Sequence, residues 1–309
     1  MKGISHLIKW RKKRLISGAA SSQSLLIGYY GEGQPSVTII AGVHGDEGPW
    51  GAWAISKFLE KIQPDQLEGS IRIVPQSNPS AMEFNSRVSP MDHLDLNRVF
   101  PGDNKGSYTE RLAYLITDAV IGDADIVIDL HGGGSWCVNA FAFQFPGSES
   151  LALNFNPPFV LDAPMKKGTL TRYASSIGAR VTAVEMGGRC DEENAWAEYI
   201  ASGLERCLVD AGVVAKSIPS IKQKTIHVGS SKVIRSSRGG LFMPQIGSSS
   251  VGKIVTKGTF LGRLVDPVSL DILEVFEAPF DDSALLLLRP RMAVLEIGAM
   301  TYVISKPIR

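Results

Sequence analysis

Two hydrophobic rhythms divide this chain. Ser36–Ala41 (SVTIIA) is a continuous apolar, β-branched run, the pattern of a strand covered on both faces. Residues 42–48 break it, and residues 50–62 then repeat apolar side chains at helical spacing. Residues 70–75 (SIRIVP) predict the next strand, 108–121 a helix, and 125–130 (DIVIDL) another buried strand. Ser107 and Glu110 stand where a capping box would start that helix. Further strands are predicted at 138–145 and 180–184, and a long helix at 191–211. Strands alternating with helices imply an α/β fold, with a mixed, mainly parallel sheet and helices on both faces. In such sheets, sites form beyond the carboxyl ends of the strands. The polar stretch 76–107 is unusually long for a loop, which marks it as functional. After Gly212 the rhythm changes. Residues 217–223 read as a linker, and from 225 to 309 short apolar runs alternate with Gly, Ser and Pro turns. That pattern predicts a small all-β domain and a division into 1–216 and 217–309.

Composition sets limits on partners. The 309 residues are 44% apolar and 20% charged, enough for a core without disulfides. A formal net charge of +1 provides no field to draw in nucleic acid or an anionic membrane. The leucine run 285–288 is far too short to span a bilayer. Residues 15–30 are broken by Gly18, a serine run and Gly28, so no secretory core forms. Cys137, Cys190 and Cys207 are odd in number and lack ligand-like spacing, as idle thiols in a reducing compartment would. A soluble, cytoplasmic protein that recognises a small partner locally is expected.

Candidate chemistry gathers at the predicted strand ends. In Gly42-Val43-His44-Gly45-Asp46-Glu47-Gly48, His44 and Glu47 are three apart and face the same way on a first helical turn. Imidazole and carboxylate suit zinc, although a histidine beside an acid is as readily a hydrogen bond or a cap. His131 closes the strand Asp129-Leu130-His131 ahead of three glycines, which would leave space beside it and let backbone approach a ligand. Asp129 points to the same face and could orient the imidazole. Glu185, in Val184-Glu185-Met186-Gly187-Gly188, ends an apolar strand, where an acid is costly unless paired or working. The long loop carries Asn78-Pro79-Ser80-Ala81, Arg87 and Asp95-Leu96-Asn97-Arg98-Val99-Phe100-Pro101-Gly102. Its arginines match a carboxylate or a developing oxyanion, or are simply solvated.

In this order the pieces resemble the succinylglutamate desuccinylase and aspartoacylase branch of the zinc carboxypeptidase-like superfamily, over about residues 37–188. The resemblance implies one Zn2+ held by His44, Glu47 and His131, with Glu185 as the general base that activates the zinc-bound water. It implies Arg87 as the group polarising the scissile carbonyl, and Asn97 with Arg98 as the pair binding a substrate carboxylate. The stretch between Arg87 and Asn97 is a few residues longer than in aspartoacylase. The glycine run after His131 looks more like deacylases of N-acetylated diamino acids.

The carboxyl-terminal motifs Gly239–Pro244 in sequence order, 255–258, 262–266 and 277–280 resemble a lipoyl- and biotinyl-like β-fold. No lysine stands at the hairpin tip a carrier would use, since Asp281, Asp282 and Ser283 follow Pro279. Such a domain would narrow the site against polypeptides, or else serve as a dimerisation surface in a homo-oligomer. The leading expectation is deacylation of an N-acyl amino acid or similar small amide. A metallocarboxypeptidase acting on short or unusual peptides is the second reading, and a non-catalytic zinc- or ligand-binding protein the third.

Overall fold

The computed structural model describes residues 3–15, 23–219, 222 and 224–308. Residues 16–22, with Gly18 and the start of the serine run, and residues 220, 221 and 223 of the expected linker lie outside the described residues. The first part contains β1 (Lys9–Leu15), β2 (Gln23–Tyr30), β3 (Ser36–Ala41), α1 (Gly48–Lys61), β4 (Ser70–Val74), α2 (Pro79–Glu83) and α3 (Tyr108–Ile116). It continues with β5 (Ile126–His131), β6 (Val138–Gln144), α4 (Glu149–Asn154), β7 (Phe159–Asp162), α5 (Leu170–Ser176), β8 (Arg180–Gly188) and α6 (Glu193–Asp210). Short strands β9 (Ile226–His227) and β10 (Lys232–Arg235) lead into β11 (Gly240–Pro244), β12 (Ile254–Val255), β13 (Phe260–Val265) and β14 (Ile272–Glu277). β15 (Ser283–Leu288), β16 (Ala293–Leu295) and β17 (Met300–Ser305) end the described chain.

One large sheet runs in the order β1-β2-β4-β3-β5-β8-β6-β15-β17-β10. Its centre, β4-β3-β5-β8, is parallel, and antiparallel strands extend both sides. Alternation along the central strands decides which residues meet which helices. Val37 and Ile39 on β3, Ile126 and Ile128 on β5, and Val184 on β8 are buried in the same cluster as α1 and α6. Ile40, Val127 and Val181 point the other way, into a cluster with α3 and α5. By the same parity, Asp129, His131 and Glu185 fall on the second face, the first two at the carboxyl end of β5.

Several local departures from the sequence pattern have physical causes. β1 escapes a hydrophobic reading because it is a basic edge strand whose residues are exposed up to Leu15. Charged side chains are what an edge needs to discourage further pairing. α3 begins at the expected capping box, Ser107 N–H donating to Glu110 Oε2 at 2.8 Å. The chain widens into a π-turn at Thr117–Ile121, where Thr38 Oγ1 donates to the Val120 carbonyl. Residues 76–107 are not free loop throughout, since Asn78 caps α2, its Oδ1 accepting from Ala81 N–H at 3.3 Å. Pro79 then occupies the first helical turn, where its missing N–H costs nothing. β8 runs past Val184 to Gly188 because β6 pairs antiparallel with it as far as Val138 opposite Gly188. Glu185 therefore sits within a strand.

From β9 onward the described residues form strands and one short 3-10 turn. β11, β13, β14 and β16 make a separate sheet packed through Phe242 and Phe276 on Tyr302. β15 instead joins the large sheet, Leu287 and Leu288 pairing with Asn139 and Val138 of β6. Leu286 is buried with Phe141 and Phe159, so the last strands share a core with β6 and β7. Leu286→Ala should lower the unfolding free energy by about 2–5 kcal/mol. Because that cluster spans both parts, urea denaturation should show one shifted transition, whereas an early separate step confined to the C-terminal strands would contradict the shared core.

Candidate metal centre and active site

The ends of β3 and β5, the middle of β8 and one loop build the site. β3 ends at Ala41, and the following segment makes a 3-10 turn, Gly45–Glu47, that carries His44 and Glu47. Gly45 is required there, because a Cβ would lie 2.0 Å from the Ala81 carbonyl carbon of α2. His131 ends β5, and Glu185 stands opposite it in register on β8. His44, Glu47 and His131 are all buried and present their ligand atoms within 4.8 Å of one another.

Each imidazole is held from behind. His44 places Nδ1 2.9 Å from Glu47 Oε1, and its Nε2 3.1 Å from Asp95 Oδ1. His131 places Nδ1 3.0 Å from Glu47 Oε2 and Nε2 2.8 Å from Asp129 Oδ2. With both Nε2 atoms facing carboxylates, both Nδ1 lone pairs are directed toward Glu47, the arrangement by which outer acids orient metal-binding histidines. The contact of His44 Nδ1 lacks hydrogen-bond geometry, so that buried nitrogen has no hydrogen-bond partner. Two imidazoles and a carboxylate converging around an orphaned nitrogen fit a divalent ion of the zinc type.

Electrostatics follow from this packing. Burial works against charge on His131, but Asp129 and Glu47 outweigh it and raise its pKa well above the ordinary value. His44 is raised in the same way, with Glu47 and Asp95 overcoming burial. For Glu47, burial is overcome by the two histidines, which hold it far below the usual carboxylate range. Glu185 differs. Burial pushes its carboxyl up to about 7, opposed by His131 and by Asn139, whose Nδ2 donates to Oε2 at 2.9 Å.

The loop residues close over these groups. Arg87 reaches Glu47 Oε1 at 3.2 Å and Asp95 Oδ2 at 3.3 Å. Asn97 accepts from Leu170 N–H at 2.9 Å through Oδ1 and lies 3.4 Å from His131 Nε2 through Nδ2. Arg98 donates to the Asn97 carbonyl at 2.6 Å. A cavity of about 240 Å3 is bordered by Arg87, Asn97, Arg98, Lys166, Thr171 and Glu185. A second, of about 170 Å3, shares Arg87, Phe143 and Glu185 with it and adds Asp46, Trp136, Asn139, Leu287 and Met300. A larger hollow of about 420 Å3, around Tyr29, Arg72 and Asp123, includes none of these residues.

The structure thus brings together all seven residues singled out in the sequence. One reading is corrected. The glycines after His131 do not leave open space, since a Cβ on Gly132 would lie 2.1 Å from the Trp50 ring and one on Gly133 2.0 Å from the Cys137 carbonyl oxygen. They permit close packing, and Gly132 N–H also donates to Glu47 Oε2 at 3.3 Å. Sequence reasoning left three groups without a role. Asp95 lay inside a quoted motif, where its link to His44 has no local signal. Asn139 is a buried amide in the apolar run of β6, a detectable oddity. Leu287 and Met300 are remote in sequence.

A model of the succinylglutamate desuccinylase/aspartoacylase catalytic domain matches residues 33–209. The chain is 29% identical over 256 residues to the N-alpha-acetyl-L-2,4-diaminobutyric acid deacetylase of Halomonas elongata, a match covering 76% of this chain and 72% of that one. A solved succinylglutamate desuccinylase/aspartoacylase from Rhodobacter sphaeroides is similar with a TM-score of 0.82 at 24% identity, over 97% of this chain and 95% of the other. The product-bound ectoine utilization protein of Ruegeria pomeroyi gives 0.82 at 22% identity, over 96% and 94%. The structural likenesses speak for the fold, and the family model spans more than half of the chain, so this protein belongs to the succinylglutamate desuccinylase/aspartoacylase family.

Proposed function

We propose that this chain is a zinc-dependent deacylase that hydrolyses the amide of an N-acyl amino acid or a similar small molecule. The observation that carries it is Glu185, a carboxyl with a raised pKa that borders both cavities beside the His44–Glu47–His131 cluster. An ion bound by those three residues supplies Lewis-acid chemistry that makes water a competent nucleophile near neutral pH.

The chain's own residues then have separable tasks. Glu185 accepts the proton of the attacking water and returns it to the departing amine, which a carboxyl poised near neutrality does well in both directions. Asn139 steadies the Glu185 carboxylate from β6. Arg87, tied to Glu47 and Asp95, directs its guanidinium at the shared wall of the two cavities and stabilises charge on the scissile carbonyl. Asn97 and Arg98 bind a substrate carboxylate in the first cavity. The same reading divides the chain into a catalytic part, 1–216, and a lipoyl-like β part, 217–309. Leu287 and Met300 of the latter wall the second cavity, which disfavours large polypeptide substrates. The relative from Halomonas elongata is named for removing an acetyl group from a small diamino acid, which supports a substrate of that size here.

A panel of N-acetyl, N-succinyl and N-formyl amino acids and short peptides, assayed for free amine with zinc-loaded protein, tests this function. Release from an acyl amino acid is expected, and Glu185→Gln should cut kcat by about 10²–10⁴-fold while metal content is unchanged. Hydrolysis of peptides alone would replace the deacylase with a carboxypeptidase, and undiminished activity in the variant would remove Glu185 from the mechanism.

Because Glu185 works as a base, it is active only when ionised. Its pKa lies above the ordinary 4.5, at about 7, and a bound cation favours the ionised form. The acid limb of kcat/KM should therefore have its midpoint between those two values, with about tenfold loss for each pH unit below it. Disappearance of that limb in Glu185→Gln checks the assignment.

Asp95→Asn should weaken zinc binding about 10–100-fold in a chelator competition, since His44 loses the acid that orients it. Unchanged affinity would mean that the ring is fixed by packing alone.

A further inference from the structure

A third cavity, of about 200 Å3, lies where the loop after β5 meets the turn after β15. Its wall contains Ser135, Trp136, Arg189, Arg289 and Arg291, and no acidic residue. Arg289 lies over the Trp136 indole, 4.3 Å from the ring centroid, and its Nη2 donates to the Met300 carbonyl at 3.4 Å. Its Nε is buried and has no partner. Among the described residues, neither Arg189 nor Arg289 has a carboxylate at ion-pair distance, and Arg291 reaches only the exposed Asp191, at 3.7 Å. A partly buried guanidinium without a counter-charge is costly, because a buried charge is ordinarily paired.

We propose that this cavity is a carboxylate-binding site in which Arg289 and Arg189 hold the anion. Stacking on Trp136 fixes the plane of the Arg289 fork, and a fixed fork matches the two oxygens of a carboxylate. Trp136 also borders the second catalytic cavity, so one indole separates the two spaces. The anion has two possible sources with the same chemistry, an acid group on the far end of a substrate or a separate small acid. Only the first source rests on the deacylase reading.

Succinate at constant ionic strength, followed by tryptophan fluorescence and calorimetry on the full chain, tests the site without requiring turnover. Succinate can also enter the cavity at Arg98, so Arg98→Gln is titrated alongside and should keep the fluorescence response. Trp136→Phe should lose that response while the calorimetric heat persists. Arg289→Gln should weaken the response about tenfold or more, as expected when a charge-assisted hydrogen bond is removed. Arg189→Gln should do the same, and serves if the first variant does not fold. Wild-type-like titrations in both arginine variants would overturn the proposal, as would the absence of any succinate binding in the Arg98→Gln protein. A raised KM with nearly unchanged kcat in Arg289→Gln would identify the substrate as the source. Succinate binding undiminished in Glu185→Gln saturated with substrate would identify a separate acid. If the wild type hydrolysed nothing in the panel, the titrations would still decide the site, so the two readings fail separately.

Discussion

The site depends on burying the Glu47 carboxylate between two imidazoles at the end of a parallel sheet. Moving that charge out of water is unfavourable unless the surrounding groups supply compensating positive charge or hydrogen bonds. His44 and His131 do so on either side of it, and Gly132 N–H adds a donor. The histidines are in turn held by Asp95 and Asp129. Five side chains from the turn after β3, from β5 and from the long loop are therefore locked into one electrostatic unit. Removing any of them would leave another buried and unmatched.

This arrangement also explains why Glu185 has different chemistry from Glu47. Both carboxyls are enclosed, and burial favours the neutral form of each. Glu47 has two imidazoles in contact and stays ionised. Glu185 has one amide donor, Asn139, and feels the negative charge of Glu47. In the proposed mechanism, separating two nearby acids in this way lets one act as a ligand while the other exchanges a proton. The distinction depends on β6, which brings Asn139 alongside β8.

The C-terminal strands are more than an appendage. β15 extends the large sheet beyond β6 and brings Leu287, with Met300 of its neighbour β17, into the wall of the cavity that Glu185 borders. The turn that follows carries Arg289 onto Trp136. Both active-site shape and the arginine-lined cavity thus depend on contacts between residues about 150 positions apart in the chain.

Local sequence determined the buried parallel strands, the capped start of α3, and the residues at the strand ends. An apolar β-branched run has few alternatives to a covered strand, and a side chain's face follows from its parity along that strand. His131 and Glu185 stood out on such runs, while the roles of His44, Glu47, Arg87, Asn97 and Arg98 rested on the order of their motifs and the family resemblance that order carries. The edge strand β1 was not legible, because an exposed, charged edge lacks the apolar alternation that marks a strand. The packing role of Gly132 and Gly133, the bond from Asp95 to His44, and the support of Glu185 by Asn139 required the folded chain. Each depends on which distant segment lies a few ångströms away, and sheet order, not local propensity, decides that.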